Sequence, residues 1–175
     1  MVQAFLNTHF DLEVNWGEDV LSSPGALAEW FERHGISEGR ASRRDLDRAL
    51  ELRTGLRALA SQNGNGATGN LAILARLDDV ATGAASEVRF GSDGGPRFVA
   101  ATGSGIAGAL GAVVAMTAAA MIDGSWTRLK LCPGEHCGWA FYDHSRNQSG
   151  RWCSMSVCGG RAKSRAHYQR TRSGS

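Results

Sequence analysis

"LCPGEHCGWAFYDHSRNQSGRWCSMSVCGGRAKSRAHYQR", residues 131–170, contains all four cysteines of the 175-residue chain. Four residues separate Cys132 from Cys137, four separate Cys153 from Cys158, and fifteen lie between the pairs. Two close pairs joined by a modest loop can surround one tetrahedral ion. Four thiolates at about 2.3 Å suit Zn2+ and leave no position for water, so the pattern points to a structural ion, not a catalytic one. The competing reading is two disulfides or buried free thiols, because four-residue gaps exceed the common two-residue zinc gap.

The compartment bears on that choice. The opening residues, "MVQAFLNTHFDLEVNW", have no basic segment followed by an apolar core. A reducing cytoplasm is therefore expected, where paired cysteines hold metal more often than they form lasting disulfides. Pro133, Gly134 and Gly138 bend the chain around the first pair, and the second pair runs directly into "GGRAKSRAHYQR". A first pair on a bent hairpin and a last cysteine at a helix start form a treble-clef-like order. His136 and His144 are spare nitrogen donors, read as a neighbour of the site and a packing residue of the loop.

Charge separates the same segment from the rest. The chain carries a formal net charge of +2, but residues 1–125 sum to −5 and residues 126–175 to +7. A site of four thiolates and one Zn2+ still leaves the last fifty residues near +5, a surface suited to a polyanion. Arg161, Lys163, Arg165 and Arg170 follow the last cysteine, with Arg161 and Arg165 four apart on one helical face. Arg146 and Arg151 lie between the pairs, and Arg128 and Lys130 precede them. Arginine grips two acceptors at once, on phosphate or on a guanine edge, so these groups are the candidate nucleic-acid contacts. Trp139, Phe141, Tyr142 and Trp152 interleave with this charge, and at least two of them are expected in the core of so small a module.

Upstream, the pattern is helical. "SSPGALAEWFERHGI" has Ser23 as cap, Pro24 at the first helical position, Leu27, Trp30 and Phe31 on one face, and Gly35 as stop. Ser42 caps a longer helix with Leu46, Leu50, Arg53, Leu56 and Leu59 on one side. Phe5, Leu6, Phe10 and Leu12 mark a short helix entering the core, and "SQNGNGATGN" reads as a flexible connector. "LAILARLDDVATG" is a third helix, and "SEVRF" and "RFVAATG" flank the turn "GSDGGP" as a hairpin. Residues 99–122 carry no charge and are long enough to span a membrane. Their Ala, Gly and Thr content, and Ile106, Leu110, Val113, Val114 and Met121 at helical spacing, favour a buried helix instead.

The fold class read from these signals is mainly α with a small β-hairpin (α+β), a helical body followed by a small treble-clef-like zinc finger. The boundaries are 1–123 for the body, 124–170 for the finger and 171–175 for a flexible tail. Chelation, or Cys153→Ala, is expected to unfold the finger and leave the body folded.

On "LCPGEHC", "FYDHSRNQSGRWCSMSVCGGRAKSRAHYQR" and, more loosely, the amino-terminal "FLNTHFD", the chain resembles the CGNR zinc finger, which follows an ABATE domain in bacterial proteins. The resemblance implies a transcriptional regulator, in some members linked to stress, that binds one structural Zn2+ through Cys132, Cys137, Cys153 and Cys158 and takes DNA as its target. The motif that names the finger falls on Cys158, Gly159, Gly160 and Arg161, with glycine in place of the asparagine.

A cytoplasmic, nucleoid-associated regulator on double-stranded DNA is therefore the leading expectation, its body sensing a small-molecule effector or forming a homodimer, with no membrane contact. A zinc-stabilised protein-interaction module is one alternative. Binding of single-stranded nucleic acid or RNA is another, favoured if Trp139 and Tyr142 stand exposed beside the basic helix. An enzyme is not expected: His9, His34 and His167 are scattered, and no carboxylate pair or nucleophile has a telling spacing.

Overall fold

The computed structural model describes residues 1–9, 19–36, 39–63, 71–82 and 85–173. Phe10, Leu12 and most of the connector "SQNGNGATGN" lie outside them. The order is α1 (Val2–Leu6), α2 (Pro24–Arg33), α3 (Arg43–Gln62), α4 (Leu71–Ala81), β1 (Ser86–Phe90), β2 (Pro96–Ala100) and α5 (Gly105–Ile122). A 3-10 turn (Ser125–Arg128), β3 (Leu129–Leu131), β4 (Ala140–Tyr142), a π-helical turn (Met155–Gly159) and α6 (Gly160–Ser173) complete it.

Local chemistry explains where the helices begin. Ser23 accepts from the Ala26 amide at 3.1 Å, and Pro24 opens α2 without losing a needed donor. Ser42 and Asp45 form a reciprocal capping box on α3. Gly35, at φ +64, reverses the chain after α2, a geometry that side chains resist. The apolar faces then meet: Phe5 of α1 packs edge-on to Trp30 with centroids 5.6 Å apart, and Phe31 lies beyond it. Arg53, buried in α3, grips Asp19 through both guanidinium branches, at 2.7 and 2.5 Å, and reaches the Thr8 hydroxyl at 3.0 Å. That pair, beside the buried Thr8 hydroxyl, tethers Asp19, ahead of α2, to α3.

Among the described residues α5 is the one helix long and apolar enough to cross a membrane. Here it is a core helix against which β1, β2 and α4 pack, with Ile106, Leu110 and Val113 buried. Met121 departs from the expected inner face: it lies in the last turn, beyond the core, and is 43% exposed. The helix also starts later than the uncharged run, because Val99 and Ala100 belong to β2. β1 and β2 pair antiparallel, Ser86 opposite Ala100 and Phe90 opposite Pro96.

The second antiparallel pair alters the expected division of labour. β3 and β4 put Leu129 opposite Tyr142 and Leu131 opposite Ala140. Trp126, Leu129 and Ala140 are buried in the same cluster as Phe5, Leu27, Leu52 and Leu110. The hairpin that carries the first two cysteines thus completes the body's core, so independent unfolding of the finger, expected from the sequence, does not fit this packing. A smaller cluster of Cys132, Phe141 and Cys158, lined by Cys137, Trp152 and Cys153, lies beyond it. α6 leaves that cluster, its nearest packing partner is the π-helical turn, and every side chain from Lys163 to Arg172 is exposed. It continues to Ser173, into the segment read as a tail.

Candidate metal centre and its basic helix

Each cysteine is delivered by a different local device. Cys132 follows β3, and its amide donates to the Trp139 carbonyl at 2.9 Å. The knuckle between them closes through the Cys137 amide on the Gly134 carbonyl at 3.0 Å. Cys153 precedes the π-helical turn, where the Ser154 hydroxyl accepts from the Val157 amide. Cys158 sits within that turn, immediately before α6.

The four sulfurs converge, all within 4.8 Å of one another. Cys153 stands 3.7 Å from both Cys137 and Cys158. Four sulfurs tetrahedrally placed about 2.3 Å from a zinc ion are separated by about 3.8 Å. A disulfide would need about 2.05 Å, and all four thiols are free. Cys132 and Cys158 are buried and the other two half-buried, and four thiolates at this spacing could hold one ion, filling a tetrahedral shell.

Protonation fits the same occupant. Burial opposes ionisation of Cys132, but backbone hydrogen bonds at Cys153 and Gly134 outweigh it and lower its pKa. Burial and neighbouring sulfurs push Cys153 far up, and burial, with Cys137 and Cys132 beside it, lifts Cys158 to about 11. Sulfurs this close cannot all shed protons unaided; a dication lets them ionise together.

Around the ligands the chain is stitched by a buried ion pair that sequence reading missed. Lys130, counted there among the basic surface groups, is only 7% exposed. Its ammonium meets Asp143 at 2.7 Å and the carbonyls of Gln148 and Gly150. Asp143 also accepts from the Ser145 and Gly150 amides at 3.0 and 2.8 Å, which folds the loop between the cysteine pairs. A Cβ on Gly150 would lie 2.5 Å from Asp143 Oδ1, so this position requires glycine. Burial opposes ionisation of Asp143, but Lys130, Ser145 and those amides hold its carboxyl well below the usual carboxylate range. Arg128 is likewise engaged, donating to the carbonyls of Asp143 and Ser145 at 3.0 and 2.9 Å.

A second set of contacts clasps the finger to the body. The Asn7 side-chain amide accepts from the Ala140 amide and donates to the Ala140 carbonyl, both at 2.8 Å, as a neighbouring strand would. Gln3 adds a donor to that carbonyl at 3.1 Å. Arg57 of α3 bridges the carbonyls of Leu6 and Gly138, one residue past Cys137. Asn63 binds the carbonyls of Trp126 and Leu129, both at 2.8 Å. Asn7 lies in "FLNTHFD", and its structural work is to hold the start of β4, just past the knuckle. Asn7→Ala leaves a buried amide unpaired, which should cost about 2 kcal/mol in the urea-unfolding free energy. It should also weaken zinc about tenfold in a chelator competition, as loss of ligand-orienting contacts does.

The basic residues fall in different settings. Arg146, Arg151, Arg161, Lys163 and Arg170 are exposed. Arg151 lies over Trp152, 5.2 Å from the ring centroid. Arg165 is exposed but paired with Glu135 of the knuckle, a contact that orients α6 and offsets its charge toward a phosphate. Gly160 has helical φ and ψ of −61 and −49, and a Cβ there would approach nothing closer than the Met155 carbonyl at 3.7 Å. The backbone does not require glycine there. Of the four aromatics, Phe141 is buried, Tyr142 and Trp152 are half-buried, and Trp139 is exposed.

The comparisons with known proteins agree with this geometry. The CGNR zinc finger family matches residues 128–171. The ABATE family, described as "Putative stress-induced transcription regulator", matches residues 1–125. No curated protein matches the chain.

Proposed function

We propose that this chain, which belongs to the ABATE family and carries a CGNR zinc finger at residues 128–171, is a regulator that docks α6 on double-stranded DNA. The observation that carries the reading is α6 itself: fourteen residues with Arg161, Lys163, Arg165, Arg170 and Arg172, no acidic residue, and a root at Cys158 in the metal cluster. A polar helix of this length is marginal alone in water. Zinc on Cys158 would fix the turn from which it starts, and a polyanion would complete its environment.

The activity is occupancy of DNA, with no bond broken. A DNA target puts the protein on the nucleoid in a bacterial cytoplasm. The body is assigned sensing or homodimerisation. Its concave surface for an effector is a cleft of about 730 Å3 between the end of α2 and β2, lined by Glu32, Ile36, Arg89 and Thr102.

Fluorescence anisotropy with a labelled random duplex tests the reading. If Arg146, Arg151, Arg161, Lys163 and Arg170 each neutralise a phosphate, log affinity should fall against log salt with a slope of about −4.5. Arg161→Ala with Arg170→Ala should reduce the slope by about 2 and leave zinc content unchanged. Salt-independent binding, or an unchanged slope in the double variant, rejects the assignment.

A further inference from the structure

Against the metal ligands Cys137, Cys153 and Cys158 lies a cleft of about 390 Å3, lined also by Trp139, Val157, His136, Glu135 and Arg161. We infer that this cleft is a receptor for one unstacked nucleobase, displaced from the nucleic acid that α6 holds. The inference rests on the DNA-docking reading and adds what the finger does beyond neutralising phosphates.

The size is restrictive. Small-molecule sites span about 300–1,000 Å3, and this cleft lies near the lower limit. A planar ring with its sugar is of a size to fit that volume. Its chemistry is that of a base platform. Trp139 is 37% exposed and offers an indole, and Val157, 47% exposed, supplies an apolar wall. Arg161 lines this cleft and the neighbouring surface formed by Ser156, Val157, Ser164 and Arg165, so one guanidinium serves both the ring and the backbone leading to it. The surrounding charge selects the occupant: α6 is basic throughout, so an aromatic group attached to a chain of phosphates is favoured over an apolar peptide. Val157 of the π-helical turn and Ser154, its cap, both line the cleft, so the turn that precedes α6 also shapes the receptor.

Trp139 is positioned without being locked in a core. Its carbonyl accepts from Cys132, its neighbour Ala140 is clasped by Asn7, and Gly138, at φ +58, turns the chain ahead of it. Zinc and body together fix the backbone that presents the indole, so the platform is preformed.

The test compares the zinc-loaded full chain on two labelled duplexes identical except for one extrahelical 2-aminopurine. The bulged duplex should bind roughly tenfold more tightly, the factor expected from stacking one base, with quenching of the 2-aminopurine emission. Trp139→Ala should erase both the preference and the quenching while leaving the perfect duplex bound as before. Trp139→Phe, which keeps an aromatic face, should restore part of each. Equal binding of the two duplexes by the native protein overturns the cleft but leaves DNA docking standing. A preference that survives in Trp139→Ala also overturns it. So does Trp139-dependent self-association without nucleic acid, which would give the cleft to a second copy of the chain. Failure to bind either duplex removes the docking proposal itself.

Discussion

Stripping the metal at neutral pH should unfold the finger and pull the melting of the body down with it. Structural zinc in modules of this size supplies about 10–16 kcal/mol of folding free energy. Cys158→Ala removes one of four ligands and the anchor of α6, so it should behave nearly as the chelated protein does. Both cores should respond because Trp126, Leu129 and Ala140 are buried against Phe5, Leu27 and Leu52. Loss of about 3 kcal/mol of that packing would lower the melting temperature by about 6–12 °C. Calorimetry of the native chain before and after chelation, with zinc measured by native mass spectrometry, reads the shift. A body that melts unchanged after complete zinc removal would separate the two cores.

Breaking the Lys130–Asp143 pair should be the next most damaging change. Asp143→Ala leaves a buried ammonium facing only the carbonyls of Gln148 and Gly150. It also strips the Ser145 and Gly150 amides of their acceptor. The expected loss is about 3–5 kcal/mol, read as a shift in the urea midpoint at constant m-value. Replacing both partners, with Lys130→Met and Asp143→Leu, should be milder than Asp143→Ala because no unpaired charge remains. The pair also predicts a pH dependence. Asp143 has a depressed pKa in the folded protein. Its contribution is full above the unfolded carboxylate value of about 4 and fades as pH falls below that toward the folded value. The stability difference between native protein and the double variant should therefore shrink below about pH 4.

The features legible in the chain are those written locally. Ser23, Pro24 and Ser42 announce their helices because a cap is a contact across three or four residues. The cysteine pairs announce a shared ligand set because their gaps are short. Asn7 and Ala140 are 133 residues apart, and a side chain pairing with a distant backbone leaves no period and no spacing. Lys130 looked like surface charge for a related reason. A three-residue strand is too short to display alternation, so nothing local marked it as buried. Leu129 and Ala140 carried no sign that they complete the body's core, because burial depends on what the fold brings opposite them. Glu135 and Arg165 also meet only through the fold, and that contact alters which arginines face outward uncompensated.

The clasp between Asn7 and Ala140 also governs the order in which the protein can be made. Asn7, the residue that ends the first helix, finds its partner only after residue 140 has left the ribosome. Until then Phe5 and Leu6 must wait beside α2 and α3 without the hairpin that closes over them. Long-range closure of this kind slows folding and prolongs the exposure of apolar surface. Metal supply during synthesis thus becomes a kinetic safeguard: a nascent chain that captures its ion promptly shortens the interval in which it can aggregate.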